Sequence, residues 1–198
     1  MKKYIMLICL LCVSCAGYAY AECVSGNCVN GEGTFAYPNG DKYTGQFKKS
    51  ERHGKGTMIF AGGHKYTGEF DGDLMDGKGT ITYADGSTYE GEWKDGKLHG
   101  KGIYTWPNGD KYTGKFKNGR RCGKGTMKFA SGAKYVGDWE DSKMHGIGTF
   151  FNPDGSIARK GYWKYNDYVG SYSEYVKDRL SKFSGVGGLT GSAPAPSK

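Results

Sequence analysis

Polar and apolar residues alternate along this chain in short runs, each followed by a turn signal. Around Tyr66 the order is Tyr-Thr-Gly-Glu-Phe, so Tyr66, Gly68 and Phe70 fall on one parity and Thr67 and Glu69 on the other. A period of two places successive side chains on opposite faces of a strand. A second run follows, with Gly79, Ile81 and Tyr83 alternating against Lys78, Thr80 and Thr82. Asp71 to Asp76 reads as the connection between the two runs. Asp85-Gly86 reads as a tight turn into the next unit, as do Asn39-Gly40 and Asn108-Gly109. The unit is therefore a β-hairpin. It recurs every 23 residues, at Tyr43, Tyr66, Tyr89, Tyr112 and Tyr135. A fixed period of this kind predicts a stack of identical supersecondary units. The expected fold is all-β: an elongated single-sheet solenoid of antiparallel hairpins, rising roughly 9.6 Å per repeat.

The two faces of that sheet differ chemically. One gathers Tyr43, Phe47, Tyr66, Phe70, Tyr89, Trp93, Tyr112, Phe116, Tyr135 and Trp139, with Gly45, Gly56 and their equivalents between the rings. The other gathers threonines, glutamates and lysines. A glycine between aromatics leaves a hollow that a ring can fill, so the aromatic stripe is first a core. A lone sheet has no second layer to cover such a face, so each ring reads either as pure core or as core with an open aromatic groove, the groove following unless something covers it. Its candidate binding residues are Tyr66, Tyr89, Trp93, Trp106 and Tyr112, in the middle of the array.

The ends read differently. Lys2 and Lys3, the apolar run Ile5 to Val13 and Ala19-Tyr20-Ala21 make a signal peptide over 1–21, with the mature chain beginning at Glu22. Val13-Ser14-Cys15 offers a second reading, lipidation at Cys15, although Cys12 stands where a lipoprotein signal has leucine. An uncleaved anchor is a third. In an exported chain, Cys23 and Cys28 are expected to pair as a disulfide that closes the N-terminal edge, the alternative being a redox or metal pair, against which the spacing, not C-x-x-C, speaks. Cys122 remains, at a repeat position held elsewhere by His53, Asp76, His99 and His145. Residues 22–42 form an N-terminal cap and half repeat, 43–157 five full repeats and 158–170 a degenerate one. Tyr172, Val176, Leu180 and Phe183, with Tyr175 beside them, predict a short amphipathic helix over 171–184 that caps the sheet or lies in its groove. Residues 185–198 carry Ala193-Pro194-Ala195-Pro196 and read as disordered.

Composition adds exclusions. The 35 glycines are positional, not a flexible linker, and the aromatic content of 15% argues against disorder. The net charge of +8 becomes +6 without the leader. Its lysines are spread among acids with no dense basic run, which argues against nucleic acid. His53, His99 and His145 occupy one repeat position. Copies stand roughly 9.6 Å or more apart, too far to share a metal ion. These histidines are expected to hold the turn before each Gly-x-Gly, and His64 is expected in an exposed turn. Motifs for nucleotide, metal or nucleophilic catalysis do not occur, so no cofactor and no enzymatic activity are expected.

The consensus Y-x-G-x-[FW]-x₆-H-G-x-G-T-x₅-[DN]-G closely resembles the MORN repeat (membrane occupation and recognition nexus) over residues 31 to about 157. Asp76 and Cys122 depart from it at the histidine position, as do Ser50, Asp73 and Ser142 at the first connection, where Gly96 and Gly119 follow it. The resemblance implies a hairpin solenoid serving as a scaffold or binding module, in a family linked to membranes. The expected function is a non-enzymatic, exported module recognising a segment of a protein partner through the aromatic groove. The alternatives are a membrane-surface protein using scattered lysines with interfacial Tyr and Trp, or a secreted effector binding a host component. Homodimerisation through an uncovered sheet edge also follows from the open ends. Periplasm, cell envelope and secretion are all compatible with the leader.

Overall fold

The computed structural model describes residues 21–184. Residues 1–20 of the expected leader 1–21, including Cys9, Cys12 and Cys15, and the tail (185–198) lie outside the described residues. Fourteen strands follow one another: β1 (Glu22–Gly26), β2 (Gly31–Ala36), β3 (Lys42–Lys48), β4 (Glu51–Ile59), β5 (Lys65–Asp71), β6 (Leu74–Thr82) and β7 (Thr88–Lys94). Then come β8 (Lys97–Thr105), β9 (Lys111–Lys117), β10 (Arg120–Lys128), β11 (Lys134–Glu140), β12 (Lys143–Phe151), β13 (Ile157–Lys164) and β14 (Asp167–Gly170). A helix, α1 (Tyr172–Ser184), closes the described chain. The strands form one antiparallel sheet in strict sequence order. At ordinary strand spacing it is about 60 Å long.

Two kinds of turn alternate. After β5 the chain reverses through Gly72 and Asp73 alone, both at positive φ (52° and 68°). This geometry matches the twist of the flanking strands. The expected connection over Asp71–Asp76 is therefore corrected: only two residues turn, and Leu74–Asp76 already belong to β6. The same turn places Ser50 and Ser142 at φ 68° and 69°, where Gly96 and Gly119 stand in other copies. The departures from glycine thus sit at left-handed positions, where a side chain costs about 1–2 kcal/mol. After β6, Gly86 N–H bonds Tyr83 C=O and Tyr83 N–H bonds Ser87 C=O, with Gly86 at φ 86°. This is a turn closed by a left-handed glycine. Adjacent turns of this kind are tied together: Ala61 and Ala130 donate backbone N–H to Asp41 and Asp110, and Ala84 to Nδ1 of His64. His64 is thus a half-buried link between turns, not a free one.

Register gives the sheet its spine. Gly33, Gly45, Gly56, Gly68, Gly79 and Gly91 pair directly across successive strands, and the row continues through Gly102, Gly114, Gly125, Gly137 and Gly148 to Gly161. Each repeat tyrosine lies over this row. A Cβ at Gly56 would stand 2.5 Å from Cζ of Tyr43, and one at Gly102 2.6 Å from Cζ of Tyr89. The glycines are there because the rings occupy the space their side chains would take.

The helix only partly matches its expected role. Ser171 and Glu174 form a capping box: Glu174 N–H bonds Ser171 Oγ, and Ser171 N–H bonds Glu174 Oε2. The helix lies against β13 and β14 at the end of the sheet and does not enter a groove. Its docking residue is Tyr175, stacked on Tyr162 at 3.6 Å. Tyr172 and Leu180, expected on the buried side, are 55% and 64% exposed. The side chain of Phe183 lies outside the described residues.

Candidate functional site

The repeat tyrosines of the aromatic face are sealed, whereas Phe60, Tyr83, Tyr104, Trp106, Phe129 and Phe150 on the same face are half-buried. Tyr43, Tyr66, Tyr89, Tyr112 and Tyr135 have no accessible surface, and Trp93 retains 5%. Each tyrosine ring stands edge-on between the aromatic of its own strand and that of the next copy. Tyr66 meets Phe70 and Trp93, both at 5.1 Å, and Tyr89 meets Trp93 at 5.3 Å and Phe116 at 5.0 Å. The zigzag runs unbroken from Phe47 to Trp163. Each such pair contributes about 0.5–1.5 kcal/mol beyond burial of its area. The polar tips are satisfied locally. The hydroxyls of Tyr43, Tyr66 and Tyr89 donate to the carbonyls of Gln46, Glu69 and Glu92. The indole N–H of Trp93 donates to Gly79 C=O.

The expectation of an open aromatic groove is thereby corrected. Tyr66, Tyr89, Trp93 and Tyr112 have no free ring surface for a partner. Trp106 alone of the five stays half-buried, against Tyr104 at 4.6 Å. No second layer is needed because a long side chain closes each ring from the following strand. Arg52, Met75, Leu98, Arg121 and Met144 share this position, each paired with an aromatic of the preceding strand. The Arg121 guanidinium lies 4.7 Å from the Trp139 ring, 5.2 Å from Trp106 and 5.5 Å from Tyr112, and donates to Ser142 C=O. The sequence signal for this lid was the constancy of a long, flexible side chain at one repeat position. It was masked because that position was read as part of a loop.

Burial also raises the phenols. The Tyr43 hydroxyl is pushed up to about 12 by loss of solvent, partly offset by Arg52. Tyr66, Tyr89, Tyr112 and Tyr135 are raised as well, again chiefly by burial; the carboxylates of Glu69, Glu92 and Asp138 add to the first, second and fourth.

The accessible depression is on the opposite face. Thr34, Thr44, Thr57, Thr67 and Thr80 stand directly opposite one another on β2 to β6, and the row continues as Glu90, Ile103, Thr113, Thr126, Val136 and Thr149. Thr34 bonds Thr44 and Thr57 bonds Thr67 through their hydroxyls, at 3.1 and 3.2 Å. Hollows of about 670, 450, 490 and 440 Å³ succeed each other along this row, from Ser25 to Thr149. Small side chains here and large rings behind give the sheet a shallow trough. On its rim, carboxylate or amide groups of Gln46, Glu69, Glu92 and Asp138 accept the backbone N–H of Lys55, Lys78, Lys101 and Ile147. These bonds pin the bulges formed by left-handed Gly54, Gly77, Gly100 and Gly146.

The remaining chemistry is structural. Cys23 and Cys28 form a disulfide across the first hairpin, with Cα atoms 5.9 Å apart. Cys122 is a half-buried free thiol. The repeated histidines do not hold turns in common: His53 pairs with Asp71 and His145 with Glu140, each at 3.2 Å, while His99 accepts the Tyr89 hydroxyl on its carbonyl. Among the described residues, no group of three or more His, Cys, Asp or Glu side chains converges, and no helix is long and apolar enough to cross a membrane.

Two solved structures align with this chain at low identity. The SAS-4 (dCPAP) TCP domain of Drosophila melanogaster, solved in complex with a proline-rich motif of Ana2 (dSTIL), is 15% identical over 76% of this chain and 84% of that chain, with a TM-score of 0.46. The wild-type TCP10 domain of Danio rerio CPAP, in complex with a peptide of Danio rerio STIL, is 16% identical over 67% of this chain and 68% of that one, with a TM-score of 0.22. Comparison with curated proteins finds no match. The MORN repeat family model matches residues 30–42, 43–65, 66–88, 89–111, 112–134 and 135–157. Those bounds coincide with the tyrosine-to-tyrosine units built above, so the chain belongs to the MORN-repeat family.

Proposed function

We propose that this protein is a non-enzymatic, exported binding module that takes an extended segment of a protein partner along its threonine-lined trough. One observation carries the reading: the repeat tyrosines and Trp93 are buried, whereas the opposite face holds a series of hollows spanning β1 to β12. Exposed threonines present hydroxyls at the strand spacing, and a bound chain can follow that row with alternate side chains inward. Export rests on the leader, and the Cys23–Cys28 disulfide suits an oxidising compartment.

The test places a photo-cross-linking amino acid at position 80, in the trough, or at position 106, on the aromatic face, in the cell of origin. Position 80 is expected to give a discrete adduct with a second polypeptide and position 106 none. Adducts from position 106 alone would return the site to the aromatic face. The intact mass of the recovered protein reads out export in the same experiment: a chain beginning at Glu22 is expected, a lipidated Cys15 would place it on a membrane, and an unprocessed chain would overturn cleavage of the leader.

A further inference from the structure

We propose that the stretch of trough over β8 to β11 is selective for an acidic extended segment of a protein. This rests on the trough being the binding face and adds the chemistry of the occupant. Charge is polarised along the array. Residues 22–96 carry eight Lys and Arg against twelve Asp and Glu, whereas 97–140 carry ten against three. The excess of cations in the second stretch is invisible as a run because the hairpin register assembles it. Lys111 lies directly opposite Lys128, and Lys128 opposite Lys134, on three neighbouring strands. On the other side of the central row, Lys101 lies opposite Lys115, and Lys124 is on the next strand. Lysines thus flank Thr113 and Thr126 on both sides, about 14 Å apart at four residues' rise along a strand, while Ile103 has Lys101 on one side and Thr105 on the other, and Val136 has Lys134 and Asp138.

Like charges directly opposite each other disfavour a sheet. At the place equivalent to Lys101 and Lys115 the earlier copies avoid them, setting Lys55 against Glu69 and Lys78 against Glu92. Lys115 breaks that pattern and gives up a structural bond. At its repeat position Gln46, Glu69, Glu92 and Asp138 accept a backbone N–H across the bulge, which an ammonium cannot do. Among the described residues, Lys124 alone of these six lysines has a carboxylate partner, Asp138 at 2.8 Å; Lys134 lies over the Phe151 ring. The rest of the charge is left for a ligand. Val136 is 41% exposed and lines the hollow of about 440 Å³, while the neighbouring hollow, about 490 Å³, is lined by Ile103 and Thr113 with Lys101, Lys115 and Lys124, and by Glu90 at its β7 edge. A strip of apolar and hydroxyl groups between cations suits a chain that alternates apolar and acidic residues. A nucleic acid would find no aromatic platform in that central row for its bases. A flat bilayer would reach only the rims of a trough.

The test titrates the full chain with a twelve-residue peptide of alternating Glu and Val, its Gln and Val counterpart, a single-stranded oligonucleotide and phosphatidylglycerol vesicles. The acidic peptide is expected to bind at least tenfold more tightly than the neutral one, with affinity falling at least tenfold between 50 and 500 mM salt. The variant Lys115→Glu/Lys128→Thr installs the residues that Glu92 and Thr105 supply one copy earlier, so its circular dichroism stays unchanged. It is expected to lose at least tenfold in affinity for the acidic peptide only. Equal binding of both peptides, unaltered in the variant, would overturn the charge selectivity and leave the trough as the binding face. Binding of neither peptide would overturn the selectivity, and the adducts from position 80 then decide the trough by themselves. Vesicles or oligonucleotide binding in place of peptide would overturn a protein occupant.

Discussion

Gly79→Ala is expected to destabilise the protein by about 3–5 kcal/mol, whereas Gly62→Ala should change it by less than about 0.5 kcal/mol. A Cβ at Gly79 would stand 2.5 Å from Cε2 and Cζ of Tyr66. That ring cannot step aside, since Phe70 and Trp93 hold it at 5.1 Å on both edges and its hydroxyl is bonded to Glu69 C=O. It must leave the core, which loses the burial of a large aromatic and a hydrogen bond together. A Cβ at Gly62 meets nothing closer than 3.8 Å, so the same change there tests only glycine's chain entropy. Urea unfolding followed by tryptophan fluorescence reads both. A Gly79→Ala protein within 1 kcal/mol of Gly62→Ala would show that the rings do not need the glycine row.

The second large effect is alkaline unfolding. Five tyrosines are fully buried, and burial raises all five phenols, Tyr43 to about 12. The fold holds their neutral form. Its stabilisation is therefore complete below pH about 10, where the tyrosines of the unfolded chain ionise, and is lost as pH climbs through the folded values. Each buried phenol takes away about 1.4 kcal/mol per pH unit in that window, and five together about 7 kcal/mol per unit. Urea midpoints should be flat from pH 8 to 9.5 and fall steeply from 10 to 11.5. Tyrosinate absorbance at 295 nm should show a late group of phenols that ionises together with unfolding. Smooth ionisation of all tyrosines near pH 10, with the far-ultraviolet spectrum intact, would mean that water reaches the rings.

The hairpin repeat, its 23-residue period and the parity of its faces were legible in the chain, because alternation and turn residues act over a few positions. The single sheet and its strand order followed, since short connections leave antiparallel neighbours no other partner. The family resemblance carried by Tyr-x-Gly-x-aromatic agrees with the matched repeats. The first turn is shorter than its polar residues suggest, because Gly72 and Asp73 complete the reversal and Leu74–Asp76 continue as β6.

The closure of the aromatic rings is not legible in the sequence for a different reason. Whether Tyr66, Tyr89, Trp93 and Tyr112 were open or closed depended on the lid formed by residues such as Met75, Leu98 and Arg121 from the next strand. Linear spacing does not reveal that contact. The lysines pose the same problem: Lys111, Lys128 and Lys134 are 17 and 6 residues apart, and only the register makes them neighbours. The sequence by itself determined which residues share a face, because that depends on the two-residue period of a strand. Which rings are sealed, which face forms the trough and where charge accumulates were decided by the tertiary structure, because those depend on packing and pairing between strands.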